Sequence, residues 1–166
     1  INPDCRLTLV DDFIEPDNLD ALLGALPPVD YLVDAIDGVR AKTAMLAWCR
    51  RHDWPVVTAG AAGGQMDPTM IRVADLSRTV QDPLLAKVRG QLRKSHGFPK
   101  DPKKKFGIDA VYSEEPLRYP DTACSAPAGG GAAGLNCAGF GSAVTVTASF
   151  GLVAVSVVLR RLAASA

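Results

Sequence analysis

The sequence carries no net charge: 18 Lys and Arg balance 18 Asp and Glu. Nothing global therefore marks a nucleic-acid binder, and an anionic partner has to be sought in local clusters. No C-x-x-C pair occurs among the four cysteines, Cys5, Cys49, Cys124 and Cys137, which excludes a zinc site built from paired cysteines. Nothing calls for disulfides and no signal peptide is visible, so a reducing cytoplasm is the default location. The glycine-rich turn at residues 59–64 is not followed by Gly-Lys-Ser/Thr and is not a phosphate loop. Structural turn and close approach to a ligand both fit it. Histidine is confined to His52 and His96, and no internal repeat is evident.

What is present is a chain of 166 residues, 48% hydrophobic, which suits one domain with a sizeable core and excludes a disordered tail. The charges are segregated. Residues 1–37 hold nine of the 18 acids and a single base, Arg6, whereas residues 87–105 hold eight of the 18 Lys and Arg and a single acid, Asp101. That asymmetry points to an anionic partner near the middle of the chain.

Residues 6–10 alternate and predict a strand. Pro16 predicts a helix start, with Leu19, Leu22, Leu23 and Leu26 on one face and Pro27 as the stop. Residues 31–36 form a short apolar run of the kind found in buried parallel strands. A helix is predicted from about Val39 to His52, with Ala44, Met45, Ala47 and Trp48 inward, followed by a buried strand at 55–58. A strand over 69–76 comes next. Asp82-Pro83 then caps and starts a helix with Leu84, Leu85, Val88 and Leu92 inward. Residues 97–105 read as a Pro- and Lys-rich basic loop, 108–113 as a strand, and 120–139 as a mobile Gly/Ala-rich loop. Residues 140–159 contain no charge. Their length matches a membrane span, but Thr145, Thr147, Ser149 and Ser156 fit a buried element, which is the expectation taken here.

Asp34 and Asp37 stand three residues apart where the strand at 31–36 turns into the next helix. Ligands of open α/β sheets bind beyond the carboxyl ends of the strands. A carboxylate there suits a magnesium ion, which takes hard oxygen ligands and shares them with substrate phosphates. Asp37 acting as a helix N-cap is the alternative.

The run Val33-Asp-Ala-Ile-Asp37, Lys42, Cys49-Arg-Arg51, Gly63-Gly-Gln65, Gln81-Asp-Pro83, Tyr119-Pro120, Cys137-Ala138 and Phe150-Gly-Leu-Val-Ala-Val-Ser156 resembles the ThiF/MoeB superfamily of adenylating enzymes. Within it, the likeness narrows to the tRNA threonylcarbamoyladenosine dehydratases. The lack of paired zinc cysteines fits that branch. The resemblance implies an α/β, Rossmann-like, mostly parallel sheet with flanking helices. It also implies that residues 1–166 are the C-terminal part of one adenylating domain, incomplete at its N-terminus, whose glycine-rich nucleotide loop lies upstream of Ile1.

The implied reaction is ATP-dependent cyclisation of N6-threonylcarbamoyladenosine in tRNA. ATP activates the free carboxylate of that nucleoside as an acyl-adenylate, and its carbamoyl group closes the ring with release of AMP. Asp37 would act through Mg2+, and Arg40 and Lys42 would reach phosphates or substrate. Cys137 matches the loop cysteine that takes the acyl group in ubiquitin-activating relatives; with no base beside it, nucleophile and spectator both remain open. Cys5, Cys49 and Cys124 read as structural or incidental. Lys94, Lys100, Lys103, Lys104 and Lys105 are the tRNA-phosphate candidates. A homodimer and, as in some family members, a cysteine desulfurase or sulfur-acceptor system are the implied partners. The competing readings are adenylation of a ubiquitin-like sulfur carrier and a non-enzymatic module for dimerisation or membrane attachment.

Overall fold

The computed structural model describes residues 2–27, 29–118 and 141–165. Its elements run α1 (Leu19–Leu22), β1 (Leu32–Asp34), α2 (Val39–Arg51), β2 (Val56–Ala59), β3 (Ile71–Asp75), α3 (Pro83–Ser95), β4 (Asp109–Ser113) and α4 (Val144–Ser165), with 3-10 turns at Pro68–Met70 and Leu76–Arg78. The sheet order is β1-β2-β4-β3. β1, β2 and β4 are parallel, and β3 is antiparallel to β4, pairing Ile71 with Ser113 and Asp75 with Asp109. This is the expected mostly parallel α/β sheet with flanking helices.

Alternation along the strands divides the core into two layers. Val56, Ala110 and Tyr112 point toward α1, α2 and α3 and pack with Leu46, Trp48, Leu85, Val88 and Leu92. Val57 and Val111 point the other way and meet Val146, Phe150, Ala154 and Val157 of α4. Each such burial contributes about 1.5–3 kcal/mol. α3 starts where Asp82 accepts a hydrogen bond from the Leu85 N–H at 2.8 Å with Pro83 in the first turn. The helix and cap expected there are present, as are the inward faces of α2 and α3.

The buried element expected at 140–159 is buried along one face only: Val146, Phe150, Ala154 and Val157 of α4 meet the sheet, while Thr145, Thr147 and Ser156 are exposed. Its other side keeps an apolar stripe in the open, with Leu152 71% exposed and Val155 and Leu159 beside it. By length and composition alone, this helix could also cross a membrane.

Four expectations need correction. Residues 6–10 form no strand: Leu7 and Leu9 are exposed, Leu9 at 89%, and no described strand pairs with them. Alternation supplies a face, but a strand also needs a neighbour for its N–H and C=O groups. The helix expected from Pro16 shrinks to Leu19–Leu22. The Asn18 side chain is spent on the preceding turn, accepting from Glu15 N and donating to Phe13 O, and Gly24 weakens the C-terminal end. Leu19, Leu23 and Leu26 still face the core. The run at 31–36 is strand only over Leu32–Asp34, and Val33 is 51% exposed, because β1 is an edge among the described strands and α4 lies over β2 and β4. The strand over 69–76 is likewise trimmed at both ends by the two 3-10 turns.

Residues 60–66 act as a packing turn. Gly63 bridges to Ser142, Gly64 N–H donates to Gly141 O at 3.0 Å, and Gly64 has φ +73°, which a side chain rarely tolerates. A Cβ on Gly60 would overlap the Asp82 carboxylate, whose Oδ2 accepts the Ala61 N–H at 2.9 Å. The expected mobile loop at 120–139, with Cys124 and Cys137, lies outside the described residues.

Candidate functional site

The carboxyl ends of β1 and β2 carry a buried polar knot. Asp34, the last residue of β1, is 1% exposed and Lys42, in the first turns of α2, is 0% exposed. Lys42 Nζ lies 2.8 Å from Asp34 Oδ2 and donates to the Ile36 carbonyl at 2.7 Å. Thr58 of β2 donates to the same Asp34 oxygen at 2.6 Å, and Asp34 Oδ1 accepts the Ile36 N–H at 2.9 Å. Both carboxylate oxygens are therefore engaged, and the backbone between the two aspartates is held at Ile36 through both its N–H and its C=O. Burial lowers the Lys42 pKa from its ordinary value, opposed by Asp34, Asp82 and Asp37.

Asp37 emerges from this knot into solvent. It does not cap α2: the cap position is Gly38, with no side-chain cap bond. The N-cap alternative is thereby overturned, and the turn is held by Asp34 instead. Among the described residues, Asp37 makes no hydrogen bond or ion pair. Arg40 is exposed one residue into the helix. Lys42, taken from the sequence to reach phosphates or substrate alongside Arg40, points inward and is spent on Asp34 and Ile36.

No group of three His, Cys, Asp or Glu side chains among the described residues could hold a metal by protein ligands alone. The arrangement does fit magnesium that shares its ligands with phosphates, because one free carboxylate is enough for that mode. Asp37 is the free one and Asp34 is not.

Asp82 sits at the same end of the sheet. Burial raises its pKa from the ordinary value, opposed by the N–H bonds from Leu85 and Ala61 and by Lys42. Cys49 is buried beneath the knot, and its thiol is pushed up to about 12 by burial and by Asp34, which leaves it inert as a nucleophile. This agrees with its reading as structural.

The five candidate lysines, Lys94, Lys100, Lys103, Lys104 and Lys105, are all exposed. The chain path puts them at the opposite end of the sheet, since α3 runs from the carboxyl end to the amino end and the basic loop leads into the start of β4. Asp37 and the lysines are thus not brought together. Asp34 and Thr58 as partners of Lys42 were missed from sequence. One signal was available: Lys42, Met45, Leu46 and Cys49 recur at helical spacing, which placed Lys42 on the buried face of α2.

A profile of the ThiF family matches residues 1–164. The tRNA threonylcarbamoyladenosine dehydratase of Haemophilus influenzae is 50% identical over 165 residues, covering 98% of this chain and 60% of that protein. The Escherichia coli enzyme of the same name is 49% identical over 171 residues, covering 100% and 63%. The chain thus spans about three fifths of the curated relatives it matches. A crystal structure of E. coli tRNA N6-threonylcarbamoyladenosine dehydratase, TcdA, in complex with ATP superposes with a TM-score of 0.83 at 46% identity, over 99% of this chain and 59% of that one. The AMP complex gives the same score. The profile match over nearly every residue, on a sheet of the same architecture, places the chain in the ThiF family.

Proposed function

We propose that this chain forms the C-terminal part of an ATP-dependent tRNA threonylcarbamoyladenosine dehydratase. The observation that carries the reading is 50% identity, over 98% of the chain, to a protein of that name; likeness to an ATP complex supports the nucleotide. The task is to neutralise phosphate charge and to hold the nucleoside carboxylate in line for attack on ATP. Asp37 would hold the magnesium, which would supply positive charge to offset that of the phosphates, and Arg40, one turn away and exposed, offers a guanidinium to phosphate or substrate. Lys42 is part of the same proposal, with its role indirect: together with Asp34 and Thr58 it fixes the turn that presents Asp37. Lys94, Lys100, Lys103, Lys104 and Lys105 contact tRNA phosphates. Ring closure within one nucleoside does not require Cys137.

The enzyme works as a cytoplasmic homodimer, in which the outer stripe of α4, around Leu152, Val155 and Leu159, is the natural surface to cover; a sulfur-transfer partner belongs to the same proposal. Size exclusion and membrane flotation separate this arrangement from membrane attachment. The deciding experiment incubates the intact protein with Mg-ATP and tRNA bearing threonylcarbamoyladenosine. AMP release matched by loss of one water from the nucleoside is expected. Adenylation of a carrier-protein C-terminus with no change in the nucleoside would favour the sulfur-carrier reading instead.

A further inference from the structure

The C-terminal ends of α2 and α3 enclose a cavity of about 490 Å³ at the amino end of the sheet. Arg50 and Arg51 line it from the last turn of α2, His96 from the end of α3 and Lys105 from the basic loop, over a floor of Phe98 and Phe106. No carboxylate is among the lining residues. We propose that this cleft is a phosphate-binding subsite for a polynucleotide backbone. The proposal rests on the tRNA reading above and adds a site to it.

The floor is built and the cations are left open. Phe98 and Phe106 pack edge to face at 4.9 Å, and Arg93 lies over Phe106 at 5.1 Å while its Nε donates to Pro99 O at 3.3 Å. Arg93 is thus committed to structure. Arg51 and Lys105 have no hydrogen bond or ion pair among the described residues. Arg50 has only a loose contact with the exposed Asp53, at 3.8 Å. Gly107, with φ +74°, lies beside Arg50, and an added Cβ there would sit 3.7 Å from the guanidinium. The helix dipole accounts for two arginines in a last turn. It does not account for Lys105 arriving from a separate loop, nor for three cations around one cavity without an acid.

A single small anion would need only this cleft. The cationic surface continues past it through the exposed Lys94, Lys100, Lys103 and Lys104, which matches successive phosphates. Phe98 and Phe106 are buried, so neither phenyl ring is free to stack a base, and the cations are there to meet backbone phosphates. The 13 residues of α2 separate this cleft from Asp37, about 20 Å at 1.5 Å per residue. The RNA is therefore gripped well away from the reacting nucleoside.

The test uses the intact enzyme with Arg50→Gln, Arg51→Gln and Lys105→Gln combined, none of which touches the Asp37 end. Filter binding of tRNA across a salt series should show at least a tenfold loss of affinity. The plot of log K against log salt should become shallower by about two to three contacts at roughly 0.7–0.9 each. ATP binding and thermal midpoint should be unchanged. Wild-type affinity and slope in the variant, while wild type still cyclises tRNA, would overturn the cleft alone. Failure of wild type to bind or cyclise tRNA would overturn the dehydratase reading and this inference with it. Lost binding of inorganic phosphate by calorimetry, with tRNA affinity intact, would make the cleft a small-anion site and refute the polynucleotide.

Discussion

The two ends of the sheet handle charge in opposite ways. At the carboxyl end, Asp34, Lys42, Thr58 and Asp82 are buried and bonded to one another or to backbone, and Asp37 and Arg40 are presented outward. At the amino end, Arg50, Arg51, Lys105 and their neighbouring lysines stand on the surface with few partners. A buried ion pair tolerates no vacancy, because a lone charge in a low-dielectric interior is far costlier than the pair. Surface cations cost little to hold apart and can be used on a mobile polyanion. The carboxyl end is thus built to fix one atom position, and the amino end to collect a large charged partner.

The strongest way to break this contrast is Lys42→Met. It strands the Asp34 carboxylate in the core and should cost about 3–5 kcal/mol, read as a lower urea midpoint of the 166-residue chain. Adding Asp34→Asn should recover part of that loss, since the orphaned charge is gone. A loss below about 1 kcal/mol would mean that the pair behaves like a surface one.

Asp82→Ala comes next. It removes the cap on Leu85 N and the bond to Ala61 N, for an expected loss of about 1–3 kcal/mol by the same measurement. Acid unfolding probes the amino end through Asp75, which ties the end of the basic loop to β3. Burial draws its carboxyl upward, but bonds from Ser77, Phe106 and Gly107 outweigh this and hold it below its ordinary value. A depressed folded value stabilises fully above the ordinary Asp value of about 3.9 and is lost as pH falls through the folded one. Asp75→Asn should therefore flatten that limb of a circular-dichroism acid titration. An unchanged limb would refute the assignment.

The smallest stability effect is expected at Asp37. Asp37→Ala should move the urea midpoint by less than about 0.5 kcal/mol, yet abolish turnover in the intact enzyme. Retained turnover would remove Asp37 from the site.

Several elements were legible from neighbours in the chain. Asp82-Pro83 followed by Leu85, Val88 and Leu92 contains the cap, the start and the buried face of α3 within a single short stretch. α2 was equally plain, and Val56 to Ala59 lies between a proline and a glycine turn. The strand expected at 6–10 failed because its pattern specifies a face and names no partner. Lys42 was assigned to phosphate or substrate through the family resemblance, which says nothing about which way this long side chain folds. The spacing of Lys42 with Met45, Leu46 and Cys49 along one face of α2 carried that information.

Local order in this protein follows from contacts within about a helical turn, and those are written in consecutive residues. The sheet order β1-β2-β4-β3, the meeting of Asp34 with Thr58 across 24 positions, and the convergence of Arg50 with Lys105 depend instead on how the chain returns on itself. The tertiary path alone sent the basic loop to the amino end, because α3 crosses the full depth of the sheet before that loop begins. Charge segregation along the sequence became separation in space for that reason: a helix that leads into a parallel strand, as α3 leads into β4, must deliver the chain to the amino end of that strand.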